Sequence, residues 1–164
     1  MLKLMKGVCA GLALAMMAAL TTTAVGQSHS GHVGQHVGKY AGQDQRAIKS
    51  LSPDDIAELQ RGGGWGLAKI AELNGVPGPI HLLEMKDKIG LTTAQVTQIR
   101  VIYQAMRAKA QLLGREFIDI ERALDDQFRT GTISKPVLKD LLTRSARVRM
   151  QLRETHLAAH LQSR

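Results

Sequence analysis

Two histidines stand four residues apart near the end of the chain, in His156-Leu157-Ala158-Ala159-His160. On an α-helix that spacing presents both imidazoles on one face, an arrangement that can hold a transition-metal ion with two nitrogen donors. Two donors do not complete a site, so others must come from elsewhere in the chain. His81 and Glu84 are three residues apart and so share a helical face as well. They are the best-placed supply if the segment that carries them packs against the chain's last turns. A mixed set of imidazole nitrogens and a carboxylate suits Zn, Ni or Cu(II), not Ca or Mg. The competing reading is that His156 and His160 merely line a helix interface or a solvated flank, and the spacing alone leaves both open.

Other chemistry finds less support. His29, His32 and His36 could gather a metal, but they sit in a Gly/Ser-rich stretch that nothing pre-organises, and a polar linker accounts for them equally well. Gly62-Gly63-Gly64 has no strand before it and no Gly-Lys-Ser/Thr after it, so it reads as a turn and not as a phosphate-binding loop. Glu116, Asp119, Glu121, Asp125 and Asp126 are interleaved with Arg115, Arg122 and Arg129 at helical spacing, the pattern of a salt-bridged surface. With no hydrolase or metalloprotease motif and no cofactor required, the chain reads as non-enzymatic. Nucleic-acid binding is disfavoured because the basic residues lack interleaved stacking aromatics.

The elements that must position these residues are helical. From Leu91 to Arg129 the chain has no proline, and Val96, Ile99, Tyr103, Met106, Ala110, Leu113, Phe117, Ile120 and Leu124 recur at steps of three and four, forming one apolar stripe. Leu91-Thr92-Thr93-Ala94-Gln95 opens it as a capping box, Thr92 accepting from the backbone of Gln95 while the Gln95 side chain reaches back. So long a stripe needs a partner along its length, and the segment from Lys135 onward supplies one. Ser134 caps that helix and Pro136 is tolerated in its first turn. Leu138, Leu141, Val148, Leu152 and Ala159 form its stripe, which Leu142, Ala146, Met150, Leu157 and Leu161 widen toward a second contact.

Before the long pair, short helices are expected over Asp44–Lys49, from Ser52-Pro53 to the glycine run, over Trp65–Leu73 and over Ile80–Ile89. Trp65, the only tryptophan, is expected to anchor them to the long pair. The expected fold is all-α: a long antiparallel hairpin of about 91–129 and 135–163 with short N-terminal helices packed on it and no β-sheet.

Residues 1–26 read as a secretory signal peptide, with Lys3 and Lys6 before an apolar run and Ala24 and Gly26 at the small positions before cleavage. Residues 27–39 read as a disordered His/Gly-rich tail and 40–164 as a single helical domain. Cleavage removes Cys9, leaving no thiol for disulfides, thiolate sites or catalysis, and takes two cations from the net charge of +8 to leave +6. These features place the mature protein in the periplasm of a Gram-negative bacterium, without stable membrane insertion.

A leader, a cysteine-free helical chain and Leu91-Thr92-Thr93-Ala94-Gln95 at the start of a long amphipathic helix resemble the LTxxQ-motif Spy/CpxP family of periplasmic proteins, over about Ile80 to the end. Ala71-Glu72-Leu73-Asn74-Gly75 followed by Pro77-Gly78-Pro79-Ile80-His81 is similar to its metal-sensor branch. The last helix lacks the second LTxxQ-like segment common in that family. The resemblance implies a homodimeric helical hairpin that acts as an ATP-independent stress chaperone for unfolded clients, or contacts an envelope sensor protein. For the metal-sensing branch it implies a Zn, Ni or Cu site at His156, His160, His81 and Glu84.

Overall fold

The computed structural model describes residues 38–164; the expected leader and His29, His32 and His36 of the expected tail lie outside them. Five α-helices follow a 3₁₀ turn at Gln43–Gln45: α1 (Pro53–Gln60), α2 (Lys69–Leu73), α3 (Pro79–Glu84), α4 (Thr93–Arg129) and α5 (Lys135–Gln162). There is no strand among the described residues, only an isolated bridge between Ile48 and Leu51. The all-α hairpin with short helices packed on it is therefore the observed architecture, α4 contacting α5, α1 and α3.

Local chemistry sets the helix boundaries. Thr92 and Gln95 form the reciprocal capping box, with Thr92 N–H donating to Gln95 Oε1 at 2.9 Å and Gln95 N–H to Thr92 Oγ1 at 3.3 Å. Ser52 and Asp55 form a second box at the start of α1, and Pro53 occupies its first turn. Ser134 accepts from the Val137 N–H to start α5. The reverse turn between the long helices passes through Gly131 at φ 69°, a conformation glycine adopts without a Cβ penalty.

Every residue of the α4 stripe is buried or half-buried. On α5, Leu141, Val148, Leu152 and Ala159 are buried, with Thr155 among them. Glu121 fixes the register of the pair by accepting from Ser145 Oγ at 2.8 Å, and it ties in the N-terminal segment through Ser50 Oγ, also at 2.8 Å. The core continues through Ile48, Leu51, Leu59 and Leu67, which close the remaining side of α4 around Phe117, Ile118 and Ile120. Trp65 anchors this layer: its ring lies 5.4 Å from that of Phe117, Arg149 stacks over it at 5.1 Å, and its Nε1–H donates to Asp55 Oδ1 at 2.8 Å.

The short elements depart from expectation in three places. Asp44–Lys49 is not a helix, because Ile48 and Leu51 turn their side chains into the core through an extended corner. The helix expected from Trp65 begins only at Lys69, since Trp65 (φ 43°) and Gly66 (φ 68°) are left-handed. The helix expected to Ile89 ends at Glu84 and passes into turns that reach Gly90. The wider arc on α5 stays largely open: Leu142, Ala146, Met150 and Leu161 are exposed and only Leu157 is half-buried.

Gly114 shows how tightly α1 is seated. A Cβ there would overlap the Leu59 carbonyl, so the backbones meet where one side chain is missing. In an open helix Gly→Ala gains about 1 kcal/mol of propensity. Here overpacking against backbone opposes it, and such clashes cost about 1–3 kcal/mol. Gly114→Ala is therefore expected to lower stability in denaturant titration, whereas the exposed Gly64→Ala is expected to leave the core contacts intact.

Candidate functional site

The end of α5 meets the turn between α2 and α3. Val76, Pro77 and Gly78 carry the chain across the face of His160, and buried Gly78 lies directly against the ring. A Cβ on residue 78 would stand 2.8 Å from His160 Nε2, so only glycine lets the backbone approach that nitrogen so closely.

His160 is held in one tautomer. Its Nδ1 lies 2.8 Å from the Val76 carbonyl oxygen, which can only accept, so Nδ1 carries the proton. In the neutral ring Nε2 then presents a lone pair, the orientation that a backbone carbonyl gives to many metal-binding histidines. Glu72 Oε1 lies 3.9 Å from that Nε2 and 3.8 Å from Nε2 of His81. Glu84 stands at the outside, its Oε2 3.5 Å from His81 Nδ1.

Glu72 Oε1 thus stands near both His81 and His160, a carboxylate that the spacing argument did not assign. Glu72, not Glu84, lies between the two rings. The signal for it lay across the turn: Glu72 stands five residues before Pro77 and His81 three after Gly78, and the two meet when α2 folds back on α3. Glu84 reaches only His81, and no carboxylate lies within ion-pair distance of His156 among the described residues.

His156 is 3% exposed, one turn deeper on α5, and its Nε2 has no hydrogen-bond partner. The Gly63 backbone lies beside the ring. Burial, reinforced by His160, pushes its pKa below the ordinary histidine value, while Glu58, Glu72 and the Gly63 contact oppose part of that shift. His156, His160, His81 and Glu72 share a cavity of about 400 Å³ with Glu58, Arg61, Met106 and Arg107. The glycine run forms one wall. It is a close-packed turn, with Gly62 at φ 72° against the Arg107 backbone and the Arg61 carbonyl accepting from Arg107 Nε at 3.1 Å.

These residues fit a metal ion by donor type and open space. Ligands about 2.0–2.1 Å from a tetrahedral metal lie about 3.3 Å from one another. The Glu72–His81 and Glu72–His160 separations exceed that by about half an ångström. Among the described residues no trio is already closed to ligating geometry.

No protein-family model, curated protein or solved structure matches this chain.

Neutral His156 gives metal-free protein a signed pH dependence. The unfolded chain takes up a proton near pH 6.5 that the folded chain binds only at lower pH. The stability it contributes is complete above pH 6.5 and is lost as pH falls toward the depressed native value. With chelator present, His156→Asn is expected to flatten this decline by up to about 1.4 kcal/mol per pH unit, as measured by urea unfolding across the acid limb.

Proposed function

We propose that this is an exported, non-enzymatic metal-binding protein, a sensor or scavenger of a transition-metal ion of the Zn, Ni or Cu(II) class, with Glu72, His81 and His160 as its ligands. The observation that carries the reading is one carboxylate oxygen, Glu72 Oε1, 3.8 and 3.9 Å from the Nε2 atoms of two histidines. The Val76 contact, which sets the proton of the neutral His160 ring on Nδ1 and leaves Nε2 as its donor atom, supports it. The ligands come from α2, α3 and α5, so a bound ion would tie the short helices to the end of the hairpin. That linkage could be read by an envelope sensor protein or by a second copy of the chain.

A second reading, the ATP-independent chaperone of the Spy/CpxP type, is favoured by a different observation. Val101, Leu112, Phe128, Leu142, Met150 and Leu161 are each half or more exposed on the long pair, on a chain of net positive charge. Scattered apolar contacts among cations suit weak, forgiving capture of unfolded clients.

Zinc competition titration tests the first reading in a background carrying His29→Asn, His32→Asn and His36→Asn. Glu72→Gln and His160→Gln are each expected to weaken binding by at least about tenfold, the scale seen when metal-site support is removed. Equal affinity in parent and both variants would remove the site. For the second reading, excess protein is expected to reduce light scattering from an aggregating denatured client, and Leu142→Ser/Met150→Ser to diminish that protection. No change in scattering at any ratio would rule the chaperone out.

A further inference from the structure

The metal reading uses the outer half of the cavity and leaves the inner half unexplained. There the His156 side chain is almost fully buried, lines the cavity and ends in an Nε2 without a partner. A buried polar atom with no partner carries a desolvation penalty, so it marks a position where a ligand is to be expected. In the neutral ring a proton on Nδ1 leaves a lone pair on Nε2, the tautomer that the Val76 carbonyl sets for His160.

A third donor lies on the facing helix. The Ser145–Glu121 hydrogen bond sets the antiparallel register of α5 against α4. Fifteen residues from Glu121 toward the start of α4 is Met106, and fifteen from Ser145 toward the end of α5 is His160. Met106 therefore stands level with His160, one turn from His156, and it lines the same cavity, half-buried. The carboxylate nearest this wall is already engaged: Glu58 pairs with Arg61 through Oε2 and accepts from the Trp65 N–H through Oε1. The inner half thus offers two imidazole nitrogens and a thioether but no free carboxylate.

Such a set differs in kind from Glu72, His81 and His160. A thioether with neutral imidazoles, shielded from water, is a soft, low-coordinate environment that selects monovalent copper, whereas the outer carboxylate favours Zn or Ni. We infer that His156 Nε2, His160 Nε2 and Met106 Sδ form an inner Cu(I) site that shares His160 with the outer N/O site. The sharing makes the two ions mutually exclusive. This inference rests on the reading of His160 as a metal ligand and extends it to a second metal class.

The test is an anaerobic titration of the full-length exported protein, carrying His29→Asn, His32→Asn and His36→Asn, with Cu(I) against a chromogenic Cu(I) chelator, beside the zinc competition. One Cu(I) per chain is expected, with bound zinc displaced. Met106→Leu, which conserves volume, and His156→Asn are each expected to weaken Cu(I) by at least about tenfold while zinc affinity stays within about twofold, the contrast that ligand softness predicts. Glu72→Gln is expected to do the reverse. Unchanged Cu(I) affinity in Met106→Leu, with its circular dichroism and unfolding midpoint intact, would overturn the inner site and leave the zinc reading standing. Cu(I) binding that depends on Met106 while zinc affinity ignores Glu72 would support the inner site and remove the outer one.

Discussion

One constraint shapes the molecule: the apolar stripe of α4 runs the length of a 37-residue helix and has to be covered along all of it. At about 25 cal/mol per Å² of apolar surface, leaving such a stripe in water would forgo most of the hydrophobic stabilisation available to so small a domain. No single short element can cover it. α5 takes one side through Leu141, Val148, Leu152 and Ala159, and the N-terminal segment takes the other through Ile48, Leu51, Leu59 and Leu67. Aromatics are scarce, so the few present are concentrated where these layers meet, with Trp65 against Phe117 and under Arg149.

The site follows from where that cover changes character. Along most of α5 the inward positions are aliphatic, but in its last turns they become Thr155, His156, Ala159 and His160. Polar rings in a buried stripe need partners, and the α2–α3 turn provides the Val76 carbonyl for one of them. Gly78 permits that approach by having no Cβ. The same contact that satisfies His160 Nδ1 leaves its Nε2 toward Glu72. Packing and ligand orientation are thus two consequences of one turn.

The long helices were legible in the sequence because their signals are local and repeated: a stripe at steps of three and four, and capping residues whose partners lie three positions away. The Ser52–Asp55 and Thr92–Gln95 boxes needed nothing from the rest of the chain. The short elements were less legible because tertiary contacts override them. Trp65 takes a left-handed backbone while its indole seats on Phe117 and Asp55, a choice invisible in the local pattern. At the site, helical spacing singled out both histidines of α5 and His81, which line one cavity. It favoured Glu84 because a three-residue separation is a within-helix rule, whereas Glu72 reaches His81 across a turn. The depth of His156 and its unpartnered nitrogen depend on how α1 and the glycine turn close over α5, which no spacing rule encodes.

The central claim is that a metal ion is held where Glu72 faces His81 and His160. Zinc K-edge X-ray absorption on the zinc-loaded protein, with His29, His32 and His36 replaced by Asn, tests it most directly. The account predicts a first shell at about 2.0–2.1 Å with the outer-shell scattering of two imidazole rings, one of which disappears in His81→Ala. A first shell of light oxygen donors without imidazole scattering, or a spectrum unchanged by His81→Ala, would contradict it.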